Sequence, residues 1–321
     1  MRADHPAAFA DRSRLDAADP SGGTGELGDL PEWRLEDLYP GMESEALAAD
    51  FAWLEEEAAA FAADHQGKLA EHSGDELAGV LRRYEKIQNK AGRIGSYAGL
   101  LYQQNTADPA RGKFLADSQA RLTDLSTPLV FFTLELNRIE DEALEAKLAE
   151  SEALARYRPW LDRVRSFRPH QLSDELETFL HDQSVVGAAA WNRLFDETMA
   201  ALEFEVALLE GTETLNLEGT LNLMSDPVRE RRAAGADALS KVFTTNLGLF
   251  ARITNTLAKE KEIEDRWRKL PTPQAARHLS NHVEPEVVQA LRDAVVAAYP
   301  DIYHRYYALK AKWLGLDKLR S

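Results

Sequence analysis

Apolar and polar positions alternate along this chain with helical spacing over most of its length. After Ser44, the residues Leu47, Phe51, Leu54, Ala58 and Phe61 recur four and three apart, one face of an amphipathic helix. A second helix is predicted from Ser73, where Glu76 three residues on completes a capping-box pattern; its stripe runs Leu77, Val80, Tyr84, Ile87, Ala91, Ile94, Ala98 and Leu101. Asp108-Pro109 reads as an N-cap followed by proline at the first helical position and opens a third helix, which Pro128 should kink or split. Three long helices with short joints predict an antiparallel bundle.

A second helical set is expected from about Asp141 through Leu202. It carries the stripe Leu154, Tyr157, Leu161 and Val164, a start at Ser173, and then Trp191, Leu194, Phe195, Thr198 and Met199. Proline and glycine interrupt the stripes too often for a coiled coil. One stretch departs from this rhythm. In EFEVALLEGTETLNL, Phe204, Val206 and Leu208 alternate with Glu203, Glu205 and Ala207, which predicts a hairpin near residues 203–217 with Gly211 in its turn.

Beyond the hairpin, Asp226 and Pro227 should cap and open another long helix with Phe243, Leu247, Phe250 and Leu257 on its buried face. A short helix follows Pro273, and another begins at Glu284-Pro285. Tyr303, Tyr306, Leu309 and Trp313 fall at helical spacing near the end, before a turn at Gly315. The fold class is all-α, a multi-helix bundle with one small β-hairpin. Residues 1–29, rich in Gly and Pro, should form a disordered tail, with order beginning at Trp33, Leu35 and Leu38 ahead of a Pro40-Gly41 turn.

Composition narrows the function. The 321 residues are 44% hydrophobic, ordinary for a globular protein, and suffice for a sizeable core. No cysteine is present, which excludes disulfides, thiolate metal sites and a cysteine nucleophile. A net charge of −16 argues against nucleic-acid partners and against docking on anionic lipid. With neither a signal-peptide core nor a long apolar run, the expectation is a cytoplasmic protein with no membrane association.

Reaction chemistry is hard to find. His278 and His282 in HLSNH stand at metal-sharing i, i+4 spacing, but Leu279 occupies the place where an H-E-x-x-H peptidase needs its glutamate, and Ser280-Asn281 read as a helix end. The lone DIYH of Asp301 to His304 is a single imperfect copy of the pair of Glu-x-x-His motifs that a di-iron bundle uses. Neither a G-x-S-x-G elbow nor a phosphate-binding glycine loop occurs. The aromatic and basic mixtures WRLEDLYPG and RYYALKAKW read as core aromatics flanked by snorkelling Lys and Arg stems. From these residues alone no catalytic, substrate-binding or metal-ligating residue is assigned.

Seven stretches, taken in order, resemble the oligoendopeptidase F family of zinc oligopeptidases, relatives of thimet oligopeptidase. They are LPEWRLEDLYPG, FAADHQGKLAE, YEKIQNKAGRIGSYAGLLYQQNTADP, YRPWLDRVRSFRPHQLSDELE, AWNRLFDE, LMSDPVRERRAAG and the terminal RYYALKAKWLGLDKL. The likeness covers nearly everything after residue 30. It implies an N-terminal helical domain over 30–202, and over 203–321 the incomplete beginning of a helical metallopeptidase catalytic domain. In that family zinc is held by the two histidines of H-E-x-x-H and a downstream glutamate, and the glutamate inside the motif activates water. Those ligands are absent from this sequence, so the chain is expected to be a truncated N-terminal portion, inactive alone, of an enzyme that hydrolyses short peptides. The alternative is a non-enzymatic helical adaptor or peptide-binding scaffold. The resemblance also suggests that the hairpin lines or braces a peptide groove, and that self-association would come from apolar surface left exposed around Tyr303, Tyr306 and Trp313.

Overall fold

The computed structural model describes residues 34–317 and 319, and the expected N-terminal tail and Trp33 lie outside them. Helices α1 (Glu45–His65), α2 (Gly74–Gln104) and α3 (Pro109–Ser126) are followed by α4 (Val130–Arg138), α5 (Asp141–Glu150), α6 (Glu152–Ala155) and α7 (Arg158–Ser166). Then come α8 (Asp174–Gln183), α9 (Ala188–Ala201), strands β1 (Phe204–Leu208) and β2 (Gly211–Leu215), and α10 (Leu217–Leu223). The chain continues through α11 (Arg229–Trp267), α12 (Ala275–Asn281), α13 (Pro285–Ala298), a π-helical turn (Pro300–His304) and α14 (Arg305–Trp313). The all-α class with one antiparallel hairpin is what the patterning predicts.

Two compact units are present. Among the described residues, one joins Arg34–Asp37 with Thr198–Leu247; the other joins Leu38–Glu197 with the residues from Gly248 to Asp317.

In the larger unit the caps at Ser73 and Asp108 sit where the sequence puts them, and Ser44 caps α1 as well. The Leu47 N–H donates to the Ser44 hydroxyl, the Ser73–Glu76 capping box is formed in full, and the Ala110 N–H donates to Asp108 at 2.8 Å. These bonds satisfy backbone donors that the first helical turn leaves open. The five predicted α1 positions are all buried. On α2 the buried face is wider than its heptad stripe, since Ala78, Leu81, Tyr97 and Tyr102 are buried too, while Tyr84, Ala91 and Leu101 are only partly covered. A helix packed by several neighbours has more than one covered stripe.

Arg83 pairs with Glu57 and Asp64 of α1, whereas Lys90, further along α2, pairs with Asp50, so the two helices run antiparallel. Between α2 and α3 the Tyr97–Phe114 ring contact at 5.9 Å and the approach of Gly112 to Tyr102 show the same opposed direction. Pro128 splits rather than kinks: it lies in a 3-10 turn, Thr127–Leu129, between α3 and α4. An aromatic cluster closes this core, with Phe132 fully buried against Tyr84 at 4.4 Å, Phe61 at 5.3 Å and Trp160 at 6.4 Å. Near the start of this unit Tyr39, not Leu38, is the deeply buried anchor; its hydroxyl donates to Asp50 at 2.7 Å and the Arg93 guanidinium covers its ring at 4.5 Å.

In the smaller unit β1 and β2 pair in the register Phe204↔Leu215 to Leu208↔Gly211. Phe204 and Val206 are fully buried with Leu223 and Ala238, and Leu202, Val242 and Phe243 pack around them. Gly211 is not in the turn as expected. Leu209 and Glu210 make the turn, and Gly211 opens β2 at φ 144°, a conformation that favours glycine. Asp226 also differs: α11 begins at Arg229, and the Asp226 carboxylate takes the Val228 N–H at 2.7 Å from just outside it.

Two apolar stripes are exposed where the pattern alone buries them. On α11 Leu247 is 61% exposed, whereas Ile253 is buried. On α9 no residue is buried, and Leu194 and Phe195 are exposed. The terminal stripe is exposed as well, at Tyr303, Tyr306, Leu309 and Trp313. Periodicity marks which face of a helix is apolar; whether a neighbour covers it is a tertiary matter.

Candidate functional site

The C-terminal half of α11 is the spine of a concave region. Two adjoining clefts, of about 640 and 610 Å³, lie beside it. They share Thr133 and Leu134 from α4, Glu177 from α8, Ala188 at the start of α9, and Glu260, Glu264 and Arg268. A third, apolar groove of about 920 Å³ runs along α8, α9 and α11 and is lined by Leu176, Phe179, Trp191, Ile263 and Trp267. Glu260 and Glu264 border all three. Concavities with apolar walls and a few convergent polar groups are the usual places for ligands.

One ion-pair network fixes the geometry. Arg268, just past the end of α11, donates to both oxygens of Glu177 at 2.7 and 2.9 Å and to Glu264 at 2.7 Å. The same Glu177 accepts the Leu172 N–H at 2.8 Å. His170 Nδ1 lies 2.8 Å from the Arg268 carbonyl oxygen; a carbonyl only accepts, so Nδ1 is the protonated ring nitrogen. Burial by itself pushes the Glu177 carboxyl up, but the Arg268 and Leu172 hydrogen bonds outweigh it and hold the group below its usual range. Hydrogen bonds from Arg268 to Glu177 act the other way on the guanidinium and raise its pKa despite burial.

Glu260 is held differently. Its Oε1 accepts the Ala188 N–H at 3.1 Å, at the first turn of α9. The preceding residue is Gly187, and a β-carbon there would stand 2.6 Å from that oxygen. The glycine lets the carboxylate reach a helix terminus where negative charge is favourable.

A metal centre does not fit these residues. Among the described residues no three His, Asp or Glu side chains converge as ligands. His278 lies in α12, but His282 is its C-cap in the left-handed conformation at φ 52°, with its N–H returned to the helix carbonyls, so the i, i+4 geometry is broken. Asp301 and His304 fall in the exposed π-helical turn and meet no second motif. Of the aromatic-basic stretches, the first places Tyr39 in the core, and the second leaves its aromatics exposed with Lys310 over Tyr306 at 5.9 Å. No described helix is long and apolar enough to cross a membrane.

Residues 135–204 match the family model described as oligopeptidase F. Oligopeptidase PepF of Bacillus subtilis is 27% identical over 295 residues, 89% of this chain and 42% of that protein. Group B oligopeptidase PepB of Streptococcus agalactiae is 24% identical over 241 residues, 74% of this chain and 39% of that protein. The chain thus spans about two fifths of the length of these relatives. The crystal structure of oligoendopeptidase-F from Enterococcus faecium superimposes with a TM-score of 0.74 at 22% identity, covering 86% of this chain and 54% of that one, which establishes a shared fold.

Proposed function

We propose that this chain, which is similar to oligoendopeptidase F peptidases, is the N-terminal, peptide-holding portion of a zinc-dependent oligoendopeptidase that hydrolyses short peptides. Residues 30–202 are then its N-terminal helical domain, and the residues from 203 onward begin a catalytic domain. The observation that carries the reading is the match of 89% of this chain to a peptidase more than twice as long, combined with the absence of any H-E-x-x-H in the sequence. Zinc and the water-activating glutamate belong to a segment this sequence does not contain, and the chain alone is inactive. The clefts along α11 and the apolar groove beside them serve as peptide-holding walls. The exposed face of β2 offers extended peptide a second place to pair. A cysteine-free chain suits the cytoplasm, where the reading places it.

The test is an internally quenched peptide incubated with the purified chain, with and without zinc, alongside a binding assay using a non-cleavable analogue. Binding without turnover is expected. Zinc-dependent hydrolysis by this chain would overturn the assignment of catalysis to absent residues, and failure to bind any short peptide would overturn the peptide-holding role.

A further inference from the structure

Two histidines meet at the joint between α1 and α2. His65, in the last turn of α1, and His72, just ahead of the Ser73 cap, are both half-buried, and their rings stand edge to face at 5.4 Å. His65 Nδ1 lies 3.3 Å from His72 Nε2. On the far side of the same ring, His65 Nε2 lies 3.4 Å from a guanidinium nitrogen of Arg83. Arg83 itself is anchored by Glu57 and Asp64.

A guanidinium only donates, and that assigns every proton in this row. His65 Nε2 is the acceptor, so the proton of a neutral His65 sits on Nδ1 and is given to His72 Nε2. His72 then carries its own proton on Nδ1. The row from Arg83 through His65 to His72 is complete only while both rings are neutral. A proton added to His65 places an N–H against the guanidinium. One added to His72 sets two N–H groups face to face, or drives His65 into the tautomer that again opposes Arg83.

The neighbours decide how the pair responds to acid. Asp64 favours a charged His65, whereas Lys68, whose ammonium already donates to the Ala63 and Asp64 carbonyl oxygens at 3.3 and 2.8 Å, opposes it. Burial is the largest influence and, with His72 and Arg83, holds the His65 pKa below its ordinary value of about 6.5. Around His72, the Glu76 carboxylate of α2 is close enough to feel its charge, and Lys147 of α5 donates to the His72 carbonyl oxygen. Glu135 of α4 accepts the Gly67 N–H at 2.6 Å. The turn between the two histidines therefore holds α4 and α5 as well as α1 and α2, and its Leu69 is fully buried.

We propose that the His65–His72 contact is a proton-operated clasp on this turn, closed while both rings are neutral and opened when the pair takes up a proton, which frees the turn from α4 and α5. Because the folded pKa of His65 is depressed, its contribution is complete above the unfolded value of about 6.5 and is lost as pH falls through the lower folded value.

The experiment follows amide hydrogen exchange in the full chain at about pH 7.5 and about pH 5, on either side of the histidine range, corrected for the intrinsic rate at each. A chelator is present at both, so that no metal bridges the rings. The Gly67, Lys68 and Glu71 amides, hydrogen-bonded in the closed turn, should lose about tenfold in protection at the lower pH, as the loss of one hydrogen bond gives. The amides of β1 and β2 should keep theirs. In the double variant His65→Asn with His72→Gln, whose side-chain amides bond each other without titrating, the step should disappear. Equal protection at both pH values in the parent, or the same step in the double variant, overturns the clasp. Should the double variant melt lower than the parent at the higher pH, the ring nitrogens of the parent decide instead. Nitrogen NMR there should place the proton on Nδ1 of both rings, and a proton on His65 Nε2 refutes the clasp.

Discussion

Glu177 and Arg268 stand 91 residues apart in sequence and meet through two parallel hydrogen bonds of 2.7 and 2.9 Å. Their side chains are 14% and 20% exposed, so the pair is largely removed from water. It ties α8 to the end of α11 and sets the position of the cleft that lies between them. Charges removed from water this far depend on such partners, and Glu264 and the Leu172 N–H complete the set.

Arg268→Met leaves the Glu177 carboxylate partly buried with only the Leu172 N–H. A loss of about 2–3 kcal/mol in urea unfolding is expected, and the double variant Arg268→Met with Glu177→Gln should lose less than the sum of the singles. Additive losses would mean the pair is not coupled.

The same carboxylate predicts a pH dependence. The Glu177 pKa is lower in the folded state than in the unfolded chain, where it is about 4.3. Its contribution is therefore fully present above that unfolded value and is lost as pH falls through the lower folded value. Stability measured from pH 6 downward should drop more steeply below about pH 4 in the parent than in Glu177→Gln. Parallel curves would assign the acid sensitivity to other carboxylates, such as Asp50, whose pKa is held down by hydrogen bonds from Lys90 and Tyr39 against the opposing effect of burial.

Gly74 opens α2, and a β-carbon there would press on the Lys147 carbonyl oxygen and stand 2.8 Å from Ser151 Cβ. On helix propensity alone Gly74→Ala should stabilise by up to ~1 kcal/mol. The backbone contact should win and reverse the sign, giving a net loss of roughly 1–3 kcal/mol by thermal unfolding. A raised melting temperature would show that α5 and α6 yield easily.

Phe204 is fully buried in the small core formed by the hairpin, α10 and α11. Phe204→Ala should cost about 3–5 kcal/mol. Hydrogen exchange should show the loss first in the amides of β1, β2 and α10, and protection unchanged there would mean that this core is dispensable.

Chelation gives a further check. Since no described group of three His, Asp or Glu side chains is arranged to hold a metal, a chelator should leave the melting temperature of the chain where it was. A downward shift would reveal a structural metal.

Local chemistry determined much of this protein. The caps at Ser73 and Asp108, the α1 stripe from Leu47 to Phe61, the break at Pro128 and the alternation of Phe204 and Val206 act through neighbours a few residues away, so they were legible in order along the chain. So was the likeness to oligopeptidases, carried by short stretches in sequence order. The covering of helix faces was not. Leu247 and Phe195 sit on apolar stripes like those of α1, yet they are exposed, because burial depends on which element packs opposite. The α11 cleft was equally hidden. Glu177, Glu260 and Arg268 are ordinary polar residues in sequence, and only the packing of α8, α9 and α11 brings Arg268 onto Glu177 and Glu260 onto the Ala188 N–H. Gly187 was the one local hint, since a glycine entering a helix marks a close approach, but what approaches it was decided seventy-odd residues away at Glu260.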